Sequence, residues 1–128
     1  MTDVKVLISG DRNWTDKAMI EYYLTKTLPK MGLKPVLIIE GGARGADRLA
    51  AQVAIELGIP VQEHPAHWEI YGRGAGHIRN TEMLQECPNV LLAFHDDLEH
   101  SKGTKNMVMQ ARKSGQPVII MLIKHGGK

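Results

Sequence analysis

The stretch that most constrains this chain is Ile38-Ile39-Glu40-Gly41-Gly42-Ala43-Arg44-Gly45-Ala46-Asp47, where an apolar run stops at two glycines and a helical pattern begins three residues later. It reads as a strand, a tight turn and a helix start. Gly41, Gly42 and Gly45 lack a Cβ, so the backbone can take positive φ and press against a ligand, while the first N–H groups of the helix have no partner within it. Such a turn suits an anion, most often a phosphate. A helix terminus contributes only ~0.3–1 kcal/mol to holding a charge, whereas micromolar affinity needs roughly 8 kcal/mol. Other turns must therefore converge on the same place.

The rest of the chain repeats the theme. Val4-Lys5-Val6-Leu7-Ile8 reads as a first, central strand leading into Ser9-Gly10-Asp11-Arg12-Asn13-Trp14. Thr15 or Asp16 can cap a helix with apolar positions Ile20, Tyr23, Leu24, Leu28 and Met31; Gly32 ends it and Pro35 prevents its resumption. Trp14 is either a lid on that helix end or a stacking surface for a ring. Val36-Leu37-Ile38-Ile39 is a second strand without polar alternation, as expected where both faces are covered. In the helix after it, Asp47 either complements the helix dipole or faces a ligand.

Pro60 and Pro65 bracket a short edge strand, followed by the glycine-rich stretch Gly72-Arg73-Gly74-Ala75-Gly76-His77-Ile78-Arg79-Asn80 that enters another helix. A cation in a first helical turn opposes the dipole, so Arg79 calls for an anion, either a ligand phosphate or a carboxylate such as Glu82. Asn89–Phe94 is a fourth strand, and a polar loop through Ser101-Lys102-Gly103-Thr104 leads to a helix closed by Gly115. Val118–Ile123 is the fifth strand, and His125-Gly126-Gly127-Lys128 is a frayed tail.

Strands alternating with helices predict one domain over residues 1–128, an α/β fold with an open, mostly parallel five-stranded sheet in the order 3-2-1-4-5. Ligands of such sheets sit beyond the carboxyl ends of the strands, where strand order reverses. The loops after strands 1 to 4 leave from that edge, with three glycine turns among them.

Charge is local rather than global. Sixteen basic and fourteen acidic residues leave +2, too even for a general nucleic-acid surface, while Arg12, Arg44, Arg48, Arg73 and Arg79 sit in or beside glycine-rich turns. No leader pattern and no run of ~18 apolar residues is present, so a cytoplasmic protein without a membrane segment is expected. Cys87, at the end of a helical pattern, reads as a small buried residue in a reducing compartment. His64-x-x-His67 and the group His95, Asp96, Asp97, His100 have poor ligand spacing, and neither a metal nor a cofactor is expected.

The set Ser9-Gly10-Asp11-Arg12-x-Trp14, Gly41-Gly42-Ala43-Arg44-Gly45-Ala46-Asp47, Gly72-Arg73-x-Ala75-Gly76-x-x-Arg79-Asn80-x-x-Met83 and Gly103-Thr104 resembles the SLOG superfamily, closest to its small Rossmann-like branch of bacterial and phage proteins. The resemblance implies a Rossmann-like three-layer sandwich, recognition of nucleotides or nucleotide-derived ligands, and a homo-oligomer. Phosphoribohydrolases of that superfamily carry a glutamate after a proline-glycine-glycine-x-glycine-threonine turn. The matching place here, Ser101 to Val108, has none, so Gly103 and Thr104 carry over as phosphate contacts and not as catalysts. Asp11 stands where this branch more often has serine.

Three functions follow. The first is a sensor or sequestering protein for a nucleotide-derived phosphorylated ligand, with Ser9, Gly10, Asp11, Arg12, Trp14, Gly41, Gly42, Arg44, Gly45, Asp47, Gly76, Arg79, Asn80, Gly103 and Thr104 as candidate contacts and Trp14 or Tyr71 stacking on the base. The alternative is a nucleoside 5′-monophosphate N-glycosidase, in which a carboxylate stabilises an oxocarbenium-like sugar and an acid protonates the base. Asp47, Asp11 or Glu82 would serve the first task and His77 or Arg79 the second, with Asp47 and Arg79 the leading pair. A DNA-handling module is the third, and the even charge argues against it.

Overall fold

The computed structural model describes residues 1–126. Its strands are β1 (Thr2–Gly10), β2 (Leu33–Glu40), β3 (Val61–Glu63), β4 (Val90–Phe94) and β5 (Ile119–Ile123). They form one sheet in the order β3-β2-β1-β4-β5, as the sequence predicts. Every neighbouring pair is parallel, so the sheet is wholly rather than mostly parallel.

Two helical layers cover it. On one face lie α1 (Lys17–Tyr22), a π-helical segment Tyr23–Thr27, α2 (Leu28–Lys30) and α3 (Ala46–Glu56), packed on Val4, Val6 and Ile8 of β1. On the other face α5 (Ala75–Leu84) and α6 (Gly103–Lys113) pack on Leu7, Ile39 and Leu91. Side chains of one strand thus alternate between two apolar layers, which is why the runs show no polar period. All five residues of β4 are buried, and each large apolar side chain so covered contributes roughly 1.5–3 kcal/mol. The short α4 (Trp68–Tyr71) and a 3₁₀ turn, Gly72–Gly74, lead into α5.

Several local expectations change. The first helix is not regular: Pro29 has no N–H for the carbonyl of Thr25, and the turn widens so that the Leu28 N–H reaches Tyr23 O. β2 begins before Pro35, because a register shift between Val4 and Lys5 of β1 accommodates the missing donor. Cys87 is exposed, not buried, in a left-handed turn (φ 56°) just past α5. His125 is not frayed: its imidazole bridges Asp96 at 2.9 Å and Asp16 at 2.8 Å and stacks on Trp14 at 4.4 Å. Gly127 and Lys128, expected to fray with it, lie outside the described residues.

Chain order reverses between β1 and β4, and the two strand ends are tied there by the Asp11 N–H donating to Phe94 O at 2.9 Å. The approach leaves no room beside Gly10, where a Cβ would lie 2.5 Å from Phe94 O and 2.6 Å from the Ala46 Cβ. Neither neighbour is a flexible side-chain end. Gly10→Ala is therefore expected to destabilise the fold by ~1–3 kcal/mol, the usual cost of overpacking, read as a lower urea midpoint with an unchanged slope.

Candidate functional site

The reversal point opens into a cleft of about 830 Å³ at the carboxyl edge of the sheet. The end of β1 supplies Ser9, Gly10, Asp11, Arg12 and Asn13; the turn after β2 and the first turn of α3 supply Ala43, Arg44 and Asp47. Trp68 of α4, Arg73, and Gly76, His77 and Arg79 of α5 form the opposite wall. His95 and Ser101 to Thr104 close the side beneath α6. Five basic side chains, Arg12, Arg44, Arg73, Arg79 and Lys102, face it against two carboxylates, Asp11 and Asp47.

The turn after β2 is held by the protein's own carboxylates. Asp47 folds back so that its Oδ2 accepts from Gly41 N–H at 3.2 Å and Ala43 N–H at 3.3 Å. Glu40 Oε1 accepts from the Gly42 N–H at 2.7 Å. Gly41 and Gly42, whose amides the sequence reading offers to a phosphate, are thus engaged internally, together with that of Ala43. Asp47 lies in the first turn of α3, where the helix dipole favours a carboxylate. Gly42 and Gly45 take positive φ, 72° and 78°, but Gly45 is required by packing, since a Cβ would overlap the backbone of Asp11 and Arg12.

Arg79 is buried and is not paired with Glu82. Its Nη1 donates to Gly41 O at 2.7 Å and its Nε to Asn80 Oδ1 at 3.1 Å. A Cβ on Gly41 would overlap this guanidinium, which explains that glycine. Asn80 in turn donates to Gly103 O at 3.2 Å and Asn106 Oδ1 at 3.1 Å, joining α5 to the start of α6. Asn80 thus orients the wall without lining the cleft.

Trp14 does not reach the cleft. It is buried against Phe94, its Nε1 donates to Asp16 O at 3.0 Å, and the lid reading describes its place. Tyr71 does not line the cleft either. The aromatic ring there is Trp68, half exposed, with the Arg12 guanidinium 6.0 Å above its centroid. Sequence reasoning also passed over Lys102 and His95 as wall residues, and Glu40. The one available signal for Glu40 was a carboxylate ending an apolar run.

Burial pushes the Glu40 carboxyl up to about 7, opposed by the Gly42 N–H and reinforced by Asp47 and Glu63. Glu40 and Glu63 are register partners on β2 and β3, and Glu40 Oε2 is buried with no hydrogen-bond partner. Burial likewise raises Asp47 to about 6, against the pull of Arg79 and the Ala43 and Gly41 amides. The same desolvation lowers Arg79, with Asp47 opposing it. Among the described residues no three His, Cys, Asp or Glu side chains gather to hold a metal ion, and no helix is long and apolar enough to cross a membrane.

Fold and cleft together define a Rossmann-like α/β protein with a basic cleft at the switch point of a parallel sheet. The model of the YspA, cpYpsA-related SLOG family matches residues 4–71. The Gene 61 protein of Mycobacterium phage D29 is 36% identical over 120 residues, which cover 90% of this chain and 94% of that protein. The chain belongs to the YspA, cpYpsA-related SLOG family.

A carboxyl whose pKa rises on folding binds its proton more tightly in the native state. The stability it adds is present below its unfolded value of 4.5 and is lost as pH rises through about 7. For Glu40 the ceiling is about 3 kcal/mol. Glu40→Gln keeps an acceptor for the Gly42 N–H and removes the titration, so its urea midpoint should fall less between pH 5 and pH 8 than the wild type's. Equal falls in the two proteins would refute the assignment.

Proposed function

We propose that the cleft binds a nucleotide-derived phosphorylated ligand, the protein acting as a sensor or sequestering protein. What supports this reading most is the wall itself: five cations around one hollow with two carboxylates among them, beside an accessible indole face. Family membership favours the same class of ligand. Lys102, Gly103 and Thr104 at the start of α6 suit a phosphate, because Gly103 has open space where a Cβ would stand and the helix dipole favours an anion. Arg12 and Arg44 neutralise charge from the opposite side, and Trp68 offers its face to the base.

A second reading is hydrolysis of a nucleoside monophosphate at its N-glycosidic bond. Asp47 favours it, as a buried carboxyl on the cleft wall whose pKa is raised to about 6. In that role it would stabilise positive charge on the sugar while water adds to the anomeric carbon and the base departs with a proton.

Calorimetric titration with AMP, GMP, CMP and UMP, together with mass spectrometry of small molecules released from freshly purified protein, tests the binding reading. Lys102→Ala removes a charge-assisted contact worth ~1.5–3 kcal/mol, so at least tenfold weaker binding is expected at unchanged thermal stability. If no phosphorylated compound is released and no nucleotide binds, the reading fails. Free base should accumulate from a bound monophosphate only if the second reading holds, and Asp47→Asn should then stop it; intact nucleotide after prolonged incubation removes the second reading alone.

A further inference from the structure

A second hollow lies on the other side of the cleft wall. It measures about 360 Å³, and four of its lining side chains are arginines: Arg12 from the loop after β1, Arg44 from the glycine turn, Arg48 from α3 and Arg79 from α5. No carboxylate lines it. Arg12, Arg44 and Arg79 are shared with the cleft, whereas Arg48 faces only this hollow.

Like charges brought together repel unless something answers them, and the fold supplies little. Among the described residues none of the four arginines takes part in an ion pair. Arg44 donates to the neutral Asn13 Oδ1 at 3.3 Å, and Arg79 to Gly41 O. Of the acids around the turn, Asp47 attracts Arg12 and Arg79 and Glu40 attracts Arg79, but none forms an ion pair with the four arginines. Asp47 is engaged by the Gly41 and Ala43 amides on the cleft side. Glu63 flanks Gly42 from β3 without lining the hollow. Glu40 is buried beneath the turn, and its raised pKa lowers the negative charge available there.

We infer that this hollow is a second anion site, built for a phosphoryl group by the fork-shaped donors of Arg12, Arg44 and Arg48. The occupant is either a free phosphate or the second phosphoryl group of a ligand whose first sits in the cleft. The three shared arginines form the partition between the two hollows. For a free phosphate the inference stands apart from the cleft ligand, since Arg48 does not line the cleft; for a two-phosphoryl ligand it rests on the proposed function.

An NMR titration of the full chain with inorganic phosphate tests it. Amides of Gly42, Arg48 and Ala66 report on the second hollow, and those of Ser101, Gly103 and Thr104 on the cleft. The first set should shift saturably, and Arg48→Ala, an exposed helix position, should weaken that response at least fivefold while leaving the second set unchanged. A first set that is silent, or that responds equally in Arg48→Ala, overturns the inference. Repeating the titration with AMP and with adenosine 3′,5′-bisphosphate separates the sources. If only the bisphosphate shifts both sets at equimolar ligand, the second site belongs to a two-phosphoryl ligand; if phosphate alone fills the first set and the bisphosphate does not, it is a free-ion site. Failure of AMP to move the cleft set counts against the nucleotide reading only.

Discussion

The site depends on one contact more than any other: the return of the Asp47 carboxylate from the first turn of α3 onto the amides of Gly41 and Ala43. With Glu40 on the Gly42 N–H, it satisfies three successive backbone donors, of which Gly41 is buried and Gly42 and Ala43 are half-buried. Arg79 then closes the arrangement from the opposite helix layer by taking the Gly41 carbonyl. An unpaired buried amide costs ~1–3 kcal/mol. The carboxylates offset a cost that three orphan donors would otherwise place on the turn, and the raised pKa values of both acids record how far they have been desolvated to do so.

That internal occupancy changes what the glycine turn is for. With those amides engaged internally, the turn's side of the two hollows is set by the arginines it positions. Arg44 leaves from the turn, Arg48 from the helix it starts, and Arg79 lies across its first residue, so one backbone bend sets three of the guanidinium groups around the two hollows. Across the cleft, at the start of α6, Gly103 leaves free space where a Cβ would stand. Rigid parallel strands underneath fix these loops relative to one another, which a binding site needs if affinity is not to be lost to ordering.

Much of the architecture was legible because its causes are local. Unbroken apolar runs can be covered on both faces only in a sheet between helix layers, and the spacing of Ala46, Ala50, Val53 and Ala54 marks the buried stripe of α3. The crossover rules narrow the strand order to a few candidates, of which the expected 3-2-1-4-5 is the one observed. The convergence of loops at one edge followed from the order. Side-chain destinations were harder to read. Trp14 and Trp68 each stand beside a turn, and nothing in their neighbours distinguishes the ring that fills the core from the ring that faces the cleft. Arg79 read as a cation in need of an anion, a ligand phosphate or Glu82, because periodicity places it at a helix start without saying what packs over that start.

The sequence by itself determined an α/β alternation with a mostly parallel sheet, since that follows from the period and length of apolar segments; the order 3-2-1-4-5 was an expectation that the structure bears out, and with it the switch point. The tertiary structure decided which polar groups are already paired. Whether a glycine amide awaits a ligand, or is met by Asp47 a turn later or Glu40 two residues earlier, depends on distances of about 3 Å that no spacing pattern encodes. Those distances exist only once α5 and β3 have packed against the turn, with Arg79 on the Gly41 carbonyl and Glu63 beside Gly42.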